Sequence, residues 1–240
     1  MMQPGEALLR EEMAEAGRLL YEKGLVFAGV GNISCRLSPG RLLVTPSGLC
    51  KGRLAPDQMI IVDLDGRPAT EQTASCRALK PTSELPMHLE VYRRRPDAQS
   101  VIHAHPPATV ALTTADISLA ECLLPEVALI LGPIPTTEYA TLSTDENALA
   151  IREWIERFDA IALRRHGALT VGRSPLDAFY KMELVEEHSR VKLMLCTLGR
   201  GKPLELAAIE KLLELRKQLG FSRPSDEDFR RLISGPASGG

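Results

Sequence analysis

The stretch "SVIHAHPPATV", residues 100–110, limits the possible folds of this 240-residue chain more than any other segment. An apolar run leads to His103 and His105 and stops at two prolines, which is typical of a strand buried on both faces. Because alternate side chains of a strand point to the same face, the two imidazoles can converge on one point. That point is a metal ion, a catalytic proton site or simply a polar strand end, and the spacing leaves all three open.

The rest of the chain mixes short strand-like segments with helical ones. Apolar residues at helical spacing predict a helix over residues 6–23. The other predicted helices are 83–95, a short one after Pro107, one from Ser143 or Thr144 to about Arg157, 174–198 and 204–219. The other predicted strands are 30–37, 41–48, 59–66, 127–131 and two within 160–172. This pattern predicts a layered α/β fold and leaves the strand order open.

The chain length favours one domain, because no linker-like tract divides it. We expect that domain to cover residues 1–222 and a flexible C-terminal tail to cover residues 223–240, which end in "SGPASGG".

Composition excludes several classes of partner. With 44% hydrophobic and 25% charged residues and a net charge of -2, the chain has no general electrostatic reason to bind nucleic acid or an anionic membrane. The N-terminal segment carries acids and helical periodicity where a signal peptide needs an unbroken apolar stretch, and no apolar run is long enough to span a bilayer. Five scattered cysteines without a CxxC pair indicate reduced thiols. We therefore expect a cytoplasmic protein without nucleic-acid or membrane partners.

A third strand-end histidine, His166, precedes a glycine in "RRHGALTVG". Three imidazoles from strand ends would form a three-ligand site with an open position, as in catalytic zinc centres. Strand-end histidines also often only form hydrogen bonds, so the spacing by itself does not decide whether a metal binds.

His88 and His188 lie in predicted helices among charged residues, and for both we expect a solvated or capping role.

Glu84 lies in the first turn of a predicted helix, one turn before His88. It is either a favourable carboxylate at a helix N-terminus or a general base beside a metal.

Two turns, "GVGNIS" at 29–34 and "TPSG" at 45–48, offer glycines and hydroxyl groups near strand ends. Thr82 and Ser83 add hydroxyl and N–H groups at a helix start. These are the parts of a phosphate pocket without a P-loop lysine, or else three ordinary turns.

Read in order, "GNIS", "TPSG", "KPTSELPMHLEVYRRRPDAQSVIHAHPP" and "RHGALTVG" resemble the class II aldolase/adducin family over residues 6–198, its fuculose-phosphate aldolase branch above all. The resemblance implies a three-layer αβα domain with a central, largely antiparallel sheet, assembled as a homotetramer with one Zn²⁺ per subunit. The family's metal ligands fall on His103, His105 and His166, and its catalytic acidic residue falls on Glu84. Its phosphate-binding positions fall on Asn32, Ser47, Gly48, Thr82 and Ser83.

The implied activity is zinc-dependent cleavage of a sugar or deoxysugar 1-phosphate, such as L-fuculose 1-phosphate, to dihydroxyacetone phosphate and an aldehyde. A 4-epimerase, a decarboxylase or dehydratase of a phosphorylated sugar, and a non-catalytic adducin-like module are the alternatives.

The aldehyde side departs from the fuculose aldolase pattern. "LLPEVALILG" has Glu126 where that pattern has a tyrosine, no tyrosine follows Tyr180, and Tyr139 matches a family tyrosine near the site. Glu126 and Tyr139 are therefore candidate substrate contacts.

Overall fold

A computed structural model of the protein describes residues 5–234. Its centre is a six-stranded sheet in the order β3-β2-β1-β4-β6-β5, in which all neighbouring strands are antiparallel. The strands are β1 Asn32–Ser38, β2 Arg41–Val44, β3 Ile60–Asp63, β4 Ser100–Ala104, β5 Ala160–Leu163 and β6 Gly167–Gly172. The strand that ends in "VIHAH" therefore lies inside the sheet, between β1 and β6, as its apolar character predicts.

Helices cover both faces of the sheet. Within the described residues they are α1 Glu6–Glu22, α2 Leu85–Arg94, α3 Pro107–Thr114, α4 Pro125–Ile130, α5 Asp145–Ala150, α6 Arg152–Ile155, α7 Pro175–Leu198, α8 Leu206–Gln218 and α9 Asp226–Ile233. The longest, α7, begins where the Ser174 hydroxyl accepts a hydrogen bond from the amide of Asp177 and ends at Gly199 with a φ of 61°. No helix of this part of the chain is long and apolar enough to cross a membrane.

Two hydrophobic cores result from the alternation of side chains across the sheet. Ile102 of β4 belongs to the core that α1 and α7 share, whereas its neighbour Val101 belongs to the core beneath α2 and α6. The three-layer αβα class is thereby confirmed. His103 has the same parity as Val101, so its ring lies on the α2 side of the sheet.

The prediction of a strand at 127–131 is wrong, because residues 127–130 lie in α4 and Leu131 is its C-cap. A run of five apolar residues is compatible with a buried strand or with a helix, and Pro125 fits the first turn of a helix. Val127 and Leu131, four residues apart, both face the larger core, which is the spacing of one helical face.

The structure also differs from the predicted tail over residues 223–240. Asp226–Ile233 form a helix, and Phe229 is completely buried against α4 and α8 side chains such as Ala128 and Leu213. A single aromatic anchor in a charged segment is a weak sequence signal, which explains the misplaced boundary. Residues 235–240, which hold most of "SGPASGG", lie outside the described residues.

Candidate metal centre and anion cleft

The three predicted ligand histidines lie at the same end of the sheet. His103 stands opposite Asn32 of β1 and Leu169 of β6. His105 follows the end of β4, where its amide donates to the carbonyl of Leu25 at 2.8 Å. His166 occupies the turn between β5 and β6, beside a residue with positive φ. The antiparallel pairing of β4 with β6 therefore brings His166, a residue distant in the sequence, next to the HxH pair.

The four side chains form one cluster, and their ligand atoms all lie within 4.8 Å of one another: Glu84, His103, His105 and His166. Nε2 of His103 is 3.0 Å from Nε2 of His105. The Glu84 carboxylate lies 3.3 Å from Nε2 of His103 and 3.4 Å from Nε2 of His166. Ligands bound to a tetrahedral Zn²⁺ at 2.0–2.1 Å are about 3.3 Å apart, so these separations fit a metal ion.

The hydrogen bonds of the cluster also fit a metal. Nδ1 of His103 is 3.0 Å from the carbonyl of Ala168, which can only accept, so Nδ1 carries the proton and Nε2 presents its lone pair. Both ring nitrogens of His166 and Oε1 of Glu84 are buried and have no hydrogen-bond partner within residues 5–234. Unpartnered buried polar atoms are costly, and a divalent cation held by Nε2 of His166 would satisfy that nitrogen.

The imidazoles are held in the neutral form that a metal requires. Burial lowers the pKa of His103 well below its usual value and also lowers the pKa of His105. Burial and the neighbouring His103 lower the pKa of His166 to about 3. A neutral imidazole keeps a lone pair for a metal at physiological pH.

The expectation that His88 and His188 are solvated is wrong. His88 is completely buried and His188 is 2% exposed. Burial lowers the pKa of each to about 4. His88 is a site residue that sequence reasoning missed: Nε2 of His88 contacts Oδ1 of Asn32, and Nδ2 of Asn32 donates to Glu84 at 2.8 Å. Its spacing of four residues from Glu84 was the available signal.

A cleft of about 200 Å³ opens beside the cluster. Its lining includes all five predicted phosphate positions: Asn32, Ser47, Gly48, Thr82 and Ser83. The amides of Ser47 and Thr82 donate to backbone carbonyls, whereas those of Gly48 and Ser83 donate to no residue within 5–234. Gly48 adopts a φ of 74°, which aids such a turn. The cleft is thus lined by hydroxyl groups and two free N–H donors.

Two further cleft residues were not predicted. Ser143 donates a hydrogen bond to the Ser83 hydroxyl at 3.0 Å and has a positive φ of 58°. Lys51 is 1% exposed, and its Nζ donates to the carbonyls of Gly29 and Leu49 at 2.9 and 2.5 Å. Burial lowers the pKa of Lys51 to about 8. The only sequence signal for Lys51 was its position three residues after Gly48. The pocket was predicted to have no P-loop lysine, but a buried lysine lies in its wall.

The two candidates for the aldehyde side do not line this cleft. Glu126 is exposed in the first turn of α4. Tyr139 is 64% exposed, in the same loop as the cleft residues Leu142 and Ser143. Within one chain they are not brought together with the metal cluster.

Three imidazoles, a carboxylate and an adjoining polar cleft define the protein class as an enzyme with a candidate metal centre. Comparison with known proteins narrows this class. The chain belongs to the family of the class II aldolase and adducin N-terminal domain, whose family model matches residues 11–193. Membership confirms the expected family and, with the assembled ligand set, the expected metal-dependent lyase.

Relatives with different activities are similar to this chain. The methylthioribulose-1-phosphate dehydratase of Methylococcus capsulatus is 34% identical over 188 residues, 73% of this chain and 88% of the relative. An L-fuculose phosphate aldolase of Methanococcus maripaludis is 32% identical over 185 residues, 77% of this chain and 96% of the relative. The 3-oxo-tetronate 4-phosphate decarboxylase of Escherichia coli K12 is 28% identical over 215 residues, 88% and 96% of the two chains.

A solved structure of similar shape is YgbL of Klebsiella pneumoniae, described as an aldolase, epimerase or decarboxylase. It superposes with a TM-score of 0.79 at 28% identity and covers 88% of this chain and 100% of its own.

Proposed function

We propose that this protein is a zinc-dependent class II aldolase that cleaves a sugar or deoxysugar 1-phosphate, such as L-fuculose 1-phosphate, to dihydroxyacetone phosphate and an aldehyde. One observation carries the proposal. The histidine–glutamate cluster adjoins a cleft whose hydroxyl and N–H groups can donate hydrogen bonds to a phosphate. The 32% identity to the Methanococcus maripaludis fuculose phosphate aldolase supports this choice of reaction.

In this proposal His103, His105 and His166 hold one Zn²⁺ per subunit. When bound, zinc supplies a Lewis acid for the substrate carbonyl and for the negative charge that develops as the carbon–carbon bond breaks. The imidazole of His103 is oriented by the Ala168 carbonyl, so its lone pair is presented without further rearrangement.

Glu84 is the proposed catalytic group that takes up and returns the proton of the cleavage reaction. Its carboxylate is 9% exposed at the boundary of cluster and cleft. Oε2 accepts a hydrogen bond from Asn32, while Oε1 has no hydrogen-bond partner within the described residues. One oxygen is thereby anchored and the other is available for proton transfer.

The phosphate group would bind to Asn32, Ser47, Gly48, Thr82 and Ser83. The free amides of Gly48 and Ser83 supply N–H donors, and Nδ2 of Asn32 keeps a second hydrogen after donating to Glu84. Binding at this remote end would orient the reacting carbons toward the metal.

Glu126 and Tyr139 remain the proposed contacts to the aldehyde part. Both are exposed in the single chain, and Leu142 and Leu149, which follow Tyr139 along the chain, are more than half exposed as well. We propose a cytoplasmic homotetramer in which a neighbouring subunit covers this apolar surface and closes the aldehyde side of the cleft.

A methylthioribulose-1-phosphate dehydratase is the second candidate, favoured by the 34% identity to the Methylococcus capsulatus enzyme. That substrate is also a ketose 1-phosphate, so it suits the same cluster and cleft. The two reactions differ in their products: an aldolase releases dihydroxyacetone phosphate, whereas a dehydratase eliminates water and leaves the carbon chain intact.

The test is incubation of the zinc-loaded protein with ketose 1-phosphates, pentulose 5-phosphates and phosphorylated sugar acids. Released dihydroxyacetone phosphate is followed by coupled reduction, and every mixture is analysed by mass spectrometry. Release of dihydroxyacetone phosphate from a 1-phosphate supports the aldolase. Loss of 18 mass units without release supports the dehydratase instead, loss of carbon dioxide a decarboxylase, and interconversion of pentulose phosphates an epimerase.

Glu84→Gln is the matched control for this assay. We expect it to retain zinc, because the three imidazoles are intact, and to lower the turnover rate by about 10²–10⁴, the usual contribution of acid–base catalysis. Zinc content is measured by atomic emission on the same samples. Full activity of this variant would contradict the role of Glu84 while leaving the metal site unaffected.

A further inference from the structure

A continuous line of buried polar side chains leads from α2 through β1 to Glu84. Tyr92, Ser34, His88 and Asn32 are each at most 3% exposed. The successive contacts are Tyr92 OH to Ser34 Oγ at 2.9 Å, Ser34 Oγ to His88 Nδ1 at 2.6 Å, His88 Nε2 to Asn32 Oδ1 at 2.5 Å, and Asn32 Nδ2 to Glu84 Oε2 at 2.8 Å. Every link is within hydrogen-bond distance.

The direction of every hydrogen bond in this line follows from the residue at its end, Glu84. An ionised carboxylate only accepts, so Asn32 must turn Nδ2 toward Glu84 and Oδ1 toward His88. The carbonyl oxygen Oδ1 also only accepts, so His88 carries its proton on Nε2 and presents a lone pair at Nδ1. Ser34 donates to that lone pair, and its oxygen accepts from the Tyr92 hydroxyl. All four donors therefore point toward Glu84.

The ionisation states agree with this assignment. Burial lowers the pKa of His88 to about 4, so its ring is neutral and has one N–H and one lone pair at neutral pH. Burial raises the pKa of Tyr92, so its hydroxyl stays protonated and can begin the line of donors. The line has no break at physiological pH.

The buried histidine outside the metal cluster and this line, His188, differs in its surroundings. His188 on α7 is also buried, with a pKa that burial lowers to about 4, but it contacts neither the cleft nor Glu84. A histidine can therefore be buried in this fold without contacting the site, so burial alone does not explain the contact of His88 with Asn32, which in turn binds the Glu84 carboxylate.

We propose that His88 is a positioning residue for proton transfer: through Asn32 it fixes the Glu84 carboxylate with Oε2 anchored and Oε1 as the oxygen that exchanges the proton with substrate. The proposal rests on the proposed function, in which Glu84 is the proton-transfer group. Oε1 is the oxygen without a hydrogen-bond partner in residues 5–234, and it lies 3.4 Å from Nε2 of His166. Loss of His88 would free the amide of Asn32 to rotate and would release the carboxylate.

The test compares His88→Leu and His88→Gln with His188→Leu as the matched control. A misplaced catalytic group costs on the order of 10²-fold in rate, so we expect His88→Leu to lower kcat by about 10–100-fold, with little change in KM or zinc content. His88→Gln should recover most of kcat, because its amide offers N–H to Asn32 and an oxygen to Ser34. His188→Leu should leave kcat unchanged.

A folded, zinc-loaded His88→Leu protein with kcat within twofold of the natural chain would overturn the proposal. If this variant does not fold, Ser34→Ala and Tyr92→Phe provide the same comparison: each should lower kcat, less so with distance from Glu84, and unchanged rates in both would contradict the positioning role.

A measurement on the unsubstituted protein is independent of turnover. Long-range ¹H–¹⁵N NMR of the histidine rings reports which nitrogen of His88 carries the proton, and we expect Nε2. A proton on Nδ1 would reverse the line of donors and overturn the proposal. If no sugar phosphate is turned over, the proposed reaction fails, and the tautomer still decides whether the line of donors exists as described.

Discussion

Protonation of His188 should make unfolding easier as the pH falls below 6.5. This side chain lies on α7, 2% exposed and outside the metal cluster. Burial, with a further contribution from the charge of Lys192, lowers the pKa of His188 to about 4 from a usual value of 6.5. Below pH 6.5 the unfolded chain therefore binds a proton that the folded chain does not, and stability is lost as the pH falls toward 4.

The magnitude follows from the difference between the two pKa values. Each unit corresponds to 1.36 kcal/mol, so the loss relative to high pH is about 3 kcal/mol at pH 4 and about 2 kcal/mol at pH 5. Well above pH 6.5 the imidazole is neutral in both states and contributes no pH dependence. His188→Leu removes the titrating group and keeps an apolar side chain of similar size.

The assay is urea unfolding of the natural chain and of His188→Leu at pH 7 and pH 5, with a chelator present so that metal release at the other histidines does not interfere. We expect the natural chain to lose about 2 kcal/mol more than the variant between these pH values. Equal losses in the two proteins would refute the reasoning, because they would mean that the His188 pKa does not change on folding.

Three further predictions concern the cluster, the cleft and the C-terminus. His166→Ala should reduce zinc, measured by atomic emission after dialysis, to a small fraction of one ion per subunit, and full retention would contradict its role as a ligand. Gly29→Ala would place a Cβ 2.7 Å from the carbonyl oxygen of Gly48, so it should displace the Ser47–Gly48 turn and weaken inorganic phosphate binding by about tenfold in calorimetry, at unchanged zinc content. Unchanged phosphate affinity would mean that this turn does not form the anion site. Phe229→Ala should lower the free energy of unfolding by about 3–5 kcal/mol, whereas a loss below 1 kcal/mol would mean that α9 adds little to the fold.

Local patterns predicted most of the secondary structure correctly. The strand before His103, the strands at 30–37 and 41–48 and the helix that begins near Ser174 each depend on residues close together in the sequence. The segment 127–131 was assigned incorrectly because five apolar residues fit both a strand and a helix until their packing partners are known.

The candidate site, too, was predicted where local patterns sufficed and missed where packing decides. The HxH alternation allowed a metal site among other possibilities, and the ordered motifs, through their resemblance to a family, favoured it. His88 was missed because charged residues surround it in the sequence, and Lys51 because a lysine is usually exposed; only packing reveals that both are buried. Burial depends on which neighbouring element covers a side chain, and periodicity does not report that.

By itself, the sequence determined that an apolar strand leads into two imidazoles with the spacing of one strand face, and that a third imidazole lies at the end of another strand. The tertiary structure decided that all three meet Glu84 within 4.8 Å, since the antiparallel pairing of β4 with β1 and β6 sets the distance between residues far apart in the chain. It also decided the direction of the donors from Tyr92 to Glu84, because a hydrogen bond is assigned only when both partners are in place.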